Sequence, residues 1–268
     1  MRWLSIVVAL ATLAPIPASS ASRGTAAADQ VRLEVGVSNP TMLAGEKTTN
    51  LVRIALTGFD LAKTEDRPPL NVAIVIDASG SMSGQKIEQA RKAAIAAINR
   101  LGDTDIVSVV LYNSSAQVLV PATKATDRAE IINKIRSITA DGSTALFAGV
   151  SKGAAEVRKF HDGKSVNRVI LLSDGKANVG PQSPRELGRL GASLVKEGIS
   201  VSTLGLGLQY NEDLMSGLAS AGSGNHLFVE EADDLVAMFN NEFNDLISVL
   251  SGEFKITAKV GPGVRPVR

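Results

Sequence analysis

The chain has 268 residues, of which 44% are hydrophobic and 4% aromatic, and its 28 Lys and Arg nearly balance its 27 Asp and Glu. The resulting formal charge of +1 gives no general attraction to nucleic acid or to an anionic membrane. The chain contains no cysteine, which excludes disulfides, thiolate zinc sites, cysteine nucleophiles and lipobox acylation. It has only two histidines, His161 and His226, which argues against a multi-histidine metal site.

The first 22 residues have the pattern of an export signal. One basic residue precedes an apolar run over 3–16, and small residues suited to a signal peptidase follow. The run is shorter than the ~20 apolar residues that a membrane-spanning helix needs. We therefore predict a signal peptide over 1–22 and no transmembrane segment in the mature chain. The protein is expected in a bacterial periplasm or at the cell surface, and an uncleaved anchor is the alternative.

Two flanking segments have strand-like patterns. Residues 29–69 hold two candidate strands, 31–38 and 51–59, before a charged linker that ends in two prolines. Residues 251–268 resemble a returning strand, which we expect to pair with 31–59 as a small β unit. The strand-like pattern of this segment is also the one expected at the start of a further C-terminal part.

Between these flanks, residues 70–250 alternate apolar runs with amphipathic helical patterns. The apolar runs are 72–76, 106–112, 166–173, 199–207 and 226–229. Helical patterns include 84–102, 127–138, 183–198 and 233–250. This alternation predicts a doubly wound, mostly parallel α/β sheet covered by helices on both faces, with 117–121 as an antiparallel edge strand. Ligands bind at the carboxyl ends of the strands in such sheets.

The first apolar run leads into the stretch DASGSMSG, which holds Asp77, Ser79 and Ser81. A nucleophile elbow requires a serine where Met82 stands between two glycines, so a serine hydrolase is disfavoured. The stretch matches neither a dinucleotide fingerprint nor a P-loop, which disfavours nucleotide binding. An aspartyl phosphotransferase would place a second acid at Ser79.

A site for a hard metal ion fits the same stretch better. Alternate residues of an extended segment point the same way, so the three oxygen-bearing side chains can converge. Two later loops offer matching oxygens, from Thr144 before a helix and from Asp174 directly after an apolar strand. Carboxylate and hydroxyl oxygens suit Mg²⁺.

The D-x-S-x-S stretch, the G-S-T loop and the strand ending in S-D-G together resemble the von Willebrand factor type A domain. The resemblance implies a Rossmann-like fold with a metal-ion-dependent adhesion site (MIDAS) that binds Mg²⁺, with Mn²⁺ or Ca²⁺ as alternatives. The metal positions that it implies are Asp77, Ser79, Ser81, Thr144 and Asp174. The residues that we expect at the partner-binding rim are Tyr112, Asn113 and Lys176.

The resemblance also implies a function. The exported subset is similar to inter-alpha-trypsin inhibitor heavy chains and calcium-activated chloride channel-like proteins, and implies adhesion or scaffolding rather than catalysis. A partner protein would supply a Glu or Asp to the metal, and partner binding can move the last helix in this family. Two alternatives remain: a non-catalytic subunit of a larger enzymatic or assembly complex, and a structural domain that the metal stabilises.

Overall fold

The computed structural model describes residues 5–8, 32–39, 41, 47–57, 67–174, 177–207, 210–247 and 255–258. The chain divides into two compact units. One is Pro68–Gly252, and the other combines Arg2–Arg67 with Glu253–Arg268. Within the described residues, no helix is long and apolar enough to cross a membrane.

The larger unit is built on a six-stranded sheet with the strand order β6-β5-β4-β7-β8-β9. Its strands are β4 (Leu70–Asp77), β5 (Ile106–Tyr112), β6 (Ala116–Lys124), β7 (Val166–Ser173), β8 (Ile199–Leu206) and β9 (Ser223–Val229). The edge strand β6 pairs antiparallel with β5, and the other pairs are parallel. The predicted fold class, including the antiparallel edge strand, is therefore confirmed.

Six helices of the described residues cover the sheet. They are α1 (Gln85–Arg100), α2 (Arg128–Arg136), α3 (Leu146–Arg158), α4 (Pro184–Lys196), α5 (Glu212–Ala221) and α6 (Leu235–Ile247). One hydrophobic cluster joins α1, α2 and α6 to one face of the sheet, and a second joins α3, α4 and α5 to the other face. Helix α5 is the element that the sequence patterns did not predict.

The central strand β4 shows why the sheet needs a helix layer on each face. All eight of its residues are buried. Val72, Ile74 and Ile76 belong to one hydrophobic cluster, and Ala73 and Val75 to the other. Because successive side chains of a strand point to opposite faces, an uninterrupted apolar strand buries both of its faces. Strand β4 lies between β5 and β7, so the chain winds outward in both directions from its carboxyl end.

Local capping signals fix the helix starts. The Ser183 side chain accepts from the Glu186 backbone N–H, the Glu186 carboxylate accepts from the Ser183 backbone N–H, and Pro184 occupies the first turn. This arrangement is a capping box with proline in the first turn, at the start of the helical pattern predicted over 183–198. The side chains of Asp127 and Asn211 cap α2 and α5 in the same way.

The smaller unit contains two two-stranded sheets. Strands β2 (Arg32–Val37) and β3 (Val52–Thr57) pair antiparallel, while β1 (Ser5–Val8) and β10 (Lys255–Ala258) pair parallel. The expected pairing of the returning strand with 31–59 is therefore wrong among the described residues. The segment SIVV, inside the predicted signal peptide, is apolar and β-branched, and it takes the place of that partner. The signal peptide itself stays a prediction.

Candidate metal centre

The loop before α3 is joined by main-chain hydrogen bonds to the loop after β4, which is in turn joined to the end of β5. The Ala78 N–H donates to the Tyr112 carbonyl at 2.8 Å, and the Ala78 carbonyl accepts from the Asp141 N–H at 2.8 Å. The Gly80 N–H donates to the Gly142 carbonyl at 2.9 Å. These bonds attach the loop after β4 to the end of β5 and to the loop before α3. The backbone that carries the candidate ligands is thereby held in place before any ion binds.

Asp77 ends β4 and is completely buried. Its Oδ1 accepts from the Ser79 N–H at 2.9 Å, and its Oδ2 accepts from the Ser173 hydroxyl at 2.6 Å and the Tyr112 hydroxyl at 3.1 Å. Three donors therefore orient this carboxylate, although none of them is a cation. A buried carboxylate without an opposite charge is costly to desolvate, which is the usual condition of a metal-binding carboxylate.

The two serines of the same loop bring their hydroxyls together. Ser79 Oγ and Ser81 Oγ lie 3.1 Å apart. Ser79 is buried, whereas Ser81 is exposed on the 3-10 turn Gly80–Met82. The convergence that the alternate spacing predicted is therefore present. The pair presents two neutral oxygens from the interior toward the surface.

Thr144 lies in the loop before α3 and is buried. Its N–H donates to Asn178 Oδ1 at 2.8 Å, and its carbonyl accepts from the Asn178 N–H at 3.1 Å. Asn178 thus attaches this loop to the one that follows β7. The sequence patterns did not single out this residue. Gly142 turns the chain with φ +81°, and a Cβ there would come within 2.9 Å of Ser114 Oγ. The turn therefore requires glycine.

Asp174 follows β7 directly and is buried. Its Oδ2 accepts from the Lys86 ammonium at 3.0 Å. Its Oδ1 is buried and has no hydrogen-bond partner within the described part of the chain. A buried carboxylate oxygen is normally satisfied, so an orphaned one at this position fits a ligand to a cation or its water.

The electrostatics of the site favour a bound cation. Burial raises the pKa of Asp77, hydrogen bonds from Ser173 and Ser79 lower it, and the charge of Asp174 raises it further. Burial and the Asp77 charge raise the pKa of Tyr112 well above its ordinary value, which keeps its hydroxyl protonated as a donor. The Asp174 charge thus disfavours the ionised form of Asp77, and a divalent cation at the site would favour it.

The structure corrects one residue of the expected rim. Tyr112 is 1% exposed, so it cannot contact a partner as predicted. Its ring packs against Gly149 of α3, where a Cβ would lie 2.5 Å from Tyr112 Cδ1, and this packing directs its hydroxyl inward to Asp77. Asn113 is half-buried, and its carbonyl accepts from the Ala145 N–H at 2.6 Å. Lys176 lies outside the described residues.

The donor set fits a hard cation with few charged ligands. The five predicted ligands are two carboxylates and three hydroxyls, and such oxygens are the ligands that Mg²⁺ and Ca²⁺ prefer. Across the described ranges, no group of three or more His, Cys, Asp or Glu side chains is arranged to hold a metal ion. The candidate centre is thus a hydroxyl-rich one, and Asp77, Ser79, Ser81, Thr144 and Asp174 stay its predicted ligands.

The ring of His226, in β9, contacts the side chains of Thr203 and Tyr210. Thr203 Oγ1 donates to the Met215 carbonyl at 3.1 Å, so it accepts from His226 Nδ1 at 2.8 Å. His226 Nε2 then accepts from the Tyr210 hydroxyl at 3.1 Å. Both ring nitrogens are used between β8, β9 and the loop before α5. These contacts give His226 a structural role between neighbouring elements.

Comparison with known proteins identifies the fold family. The von Willebrand factor type A domain profile matches residues 71–241. The chain is 30% identical over 224 residues to uncharacterized protein sll0103 of Synechocystis sp., covering 82% of this chain and 52% of that protein. It is also 30% identical over 196 residues to human inter-alpha-trypsin inhibitor heavy chain H4, covering 68% of this chain and 20% of that one. The chain therefore spans about half or less of these relatives.

A solved structure shares the architecture. Proximal thread matrix protein 1 from the mussel byssus, with a zinc-occupied MIDAS motif, superposes with a TM-score of 0.58 at 22% identity. The match covers 68% of this chain and 46% of the mussel protein. Domains of the family are metal-dependent modules for adhesion and protein interaction. The profile match, the strand order and the convergent loops lead to one conclusion: the chain belongs to the von Willebrand factor type A domain family.

Proposed function

We propose that this chain is a metal-dependent protein-binding module of the bacterial cell envelope. In this proposal Mg²⁺ is held by Asp77, Ser79, Ser81, Thr144 and Asp174 and receives a Glu or Asp carboxylate from a partner protein. The observation that carries the proposal is the pair of buried carboxylates, Asp77 and Asp174, because one Asp174 oxygen has no hydrogen-bond partner in the described part of the chain. Such a pair is expected to require a cation.

Each candidate ligand has a separate part in this proposal. Asp77 and the Ser79 hydroxyl hold the inner side of the ion, since both are buried. Ser81 is exposed and lies at the boundary with solvent, where a partner's carboxylate can approach. A bound divalent ion supplies a coordination position for that carboxylate. Tyr112 and Ser173 orient Asp77 from beneath.

We propose binding rather than catalysis as the activity. The Ser79 hydroxyl contacts Ser81, and the ring nitrogens of His226 contact Thr203 and Tyr210. A serine nucleophile would need a base within hydrogen-bond reach. The export pattern of residues 1–22 supports a location in the cell envelope. The ions to test beside Mg²⁺ are Mn²⁺, Ca²⁺ and Zn²⁺, the last because zinc occupies the MIDAS motif of the mussel protein.

The test is a comparison of captured envelope proteins. Wild-type protein and Asp77→Ala are immobilised and exposed to envelope extract in Mg²⁺ or in EDTA. Asp245→Ala is the matched control, because it removes an exposed carboxylate on α6. We expect partners that bind wild type and the control in Mg²⁺ and are lost with Asp77→Ala and with EDTA. Partners retained equally under all conditions would instead favour a structural domain that the metal stabilises.

A further inference from the structure

Lys86 contacts the candidate metal centre from the first turn of α1. Its ammonium lies 3.0 Å from Asp174 Oδ2, across 88 residues of sequence. The Lys86 side chain is 31% exposed, whereas the Asp174 side chain is 1% exposed. The ion pair therefore connects a half-buried cation to a buried carboxylate that is itself a predicted ligand.

The charge preference of a helix N-terminus does not explain why a lysine occupies position 86. The first turn of a helix carries a partial positive charge, so a cation there is unfavourable. Gly84 precedes α1 with φ +77° and provides no side-chain cap. The Lys86 side chain also passes Gly207, where a Cβ would lie 3.7 Å from Lys86 Cε. The lysine is thus placed between the end of β8 and Asp174, at a position where Asp174 compensates its charge.

The ion pair gives the two oxygens of the Asp174 carboxylate different surroundings. Oδ2 is engaged by Lys86, and Oδ1 is buried without a partner in the described segments. Lys86 therefore leaves one oxygen available to a divalent ion or its water. It also changes the charge of the centre, because the two carboxylates carry two negative charges and the ammonium reduces this to one.

We propose that Lys86 is an internal counter-cation that weakens metal binding and strengthens the binding of a carboxylate to the metal-loaded centre. This inference rests on the proposed function. With Lys86 in place, a divalent ion leaves the centre with one net positive charge, which one carboxylate neutralises. Without Lys86, the loaded centre is neutral and attracts a carboxylate less.

A second effect of Lys86 acts in the opposite direction. Its hydrogen bond also orients Asp174, so its removal could weaken metal binding. Asp174 directly follows β7. The backbone of this strand is fixed because it pairs with β4 up to Leu172 and with β8 up to Ser173. Only a short side chain with two torsions would gain freedom, whereas removal of a unit charge at contact distance changes the attraction for a divalent ion more strongly. The electrostatic effect therefore dominates.

Calorimetric titration with Mn²⁺ alone tests the first half. Lys86→Met keeps the length of the side chain and removes its charge, and Lys86→Arg keeps the charge. Lys92→Met is the matched control, because Lys92 is exposed on the same helix about 9 Å along its axis. We expect Lys86→Met to bind Mn²⁺ roughly tenfold more tightly than wild type, with Lys86→Arg and Lys92→Met near wild type. Equal or weaker binding by Lys86→Met would overturn the proposal.

Acetate as a probe carboxylate tests the second half. Acetate should raise the apparent Mn²⁺ affinity of wild type more than that of Lys86→Met, because the two ligands are coupled through the same centre. An equal acetate effect in both proteins would overturn this half. Thermal unfolding verifies that each variant is folded. If wild type bound no metal at all, the proposed function would fail, whereas metal binding that is indifferent to Lys86 would overturn only this inference.

Discussion

The two ends of the central sheet bury carboxylates in opposite ways. At the carboxyl end, the donors to Asp77 among the described residues are neutral, and Asp174 accepts from Lys86 and has one oxygen without a described partner. Near the amino end of β7, Glu242 of α6 is also buried, but it accepts from Arg168 and from Asn225 at 2.8 Å each. Arg168 in turn donates to Ser200 and Ser202 at 3.0 Å each.

This difference separates a structural ion pair from a candidate ligand site. Glu242 has a cation and a neutral donor, so its burial is compensated within the protein. Asp77 and Asp174 share one cation, Lys86, among the contacts that the described residues make. Burial alone therefore does not mark a functional carboxylate. The informative property is the balance of charge and donors around it, which predicts different responses to mutation at the two ends.

Arg168→Met should give the largest loss of stability. It leaves Glu242 buried without its cation, which costs about 3–5 kcal/mol in the free energy of unfolding. Urea unfolding measures this loss, and the double variant Arg168→Met/Glu242→Leu should recover most of it. A loss of the same size in the double variant would show that side-chain packing, and not the uncompensated charge, is responsible.

Gly149→Ala tests the support beneath the metal end. The new Cβ would lie 2.5 Å from the Tyr112 ring and displace the hydroxyl that donates to Asp77. Overpacking of this kind costs about 1–3 kcal/mol of unfolding free energy. Gly188→Ala in α4 is the control, because a Cβ there would have no neighbour closer than 3.9 Å. This substitution should leave the unfolding free energy unchanged or raise it. Equal stability of the two variants would contradict this account of Tyr112.

Asp77→Asn should change the stability of the metal-free protein only slightly. An amide keeps the acceptor for the Ser79 N–H and removes a negative charge whose burial is unfavourable, as the raised pKa of Asp77 indicates. We expect unfolding free energy in EDTA to stay equal or rise by at most about 1 kcal/mol, which is near the net contribution of one hydrogen bond. A loss as large as that of Arg168→Met would mean that both ends are structural.

His226 provides the smallest test, since its ring nitrogens are already paired. Burial lowers the pKa of His226 from 6.5, and the charge of Glu212 opposes the shift. Its contribution to stability is therefore complete above the unfolded pKa and is lost as the pH falls through the folded pKa. Wild type should lose more unfolding free energy than His226→Gln between about pH 8 and about pH 5. Parallel losses would exclude this role.

The sequence predicted the features that depend on local pattern. Apolar runs and helical periodicity placed the parallel strands, and the alternate spacing brought Ser79 and Ser81 together as expected. Contacts between distant segments were not predictable in this way. The Lys86–Asp174 pair and the inward direction of the Tyr112 hydroxyl depend on which loops and helices meet in space. Helix α5 is short and contains Gly217, so its periodicity is weak.

The central claim is that Asp77 and Asp174 bind a divalent ion and Glu242 does not. A calorimetric Mg²⁺ titration of wild type, Asp77→Asn and the double variant Arg168→Met/Glu242→Leu tests it directly. We predict one bound ion in wild type, the same affinity in the double variant, and loss of binding in Asp77→Asn. No binding by wild type, or unchanged binding by Asp77→Asn, would contradict the account.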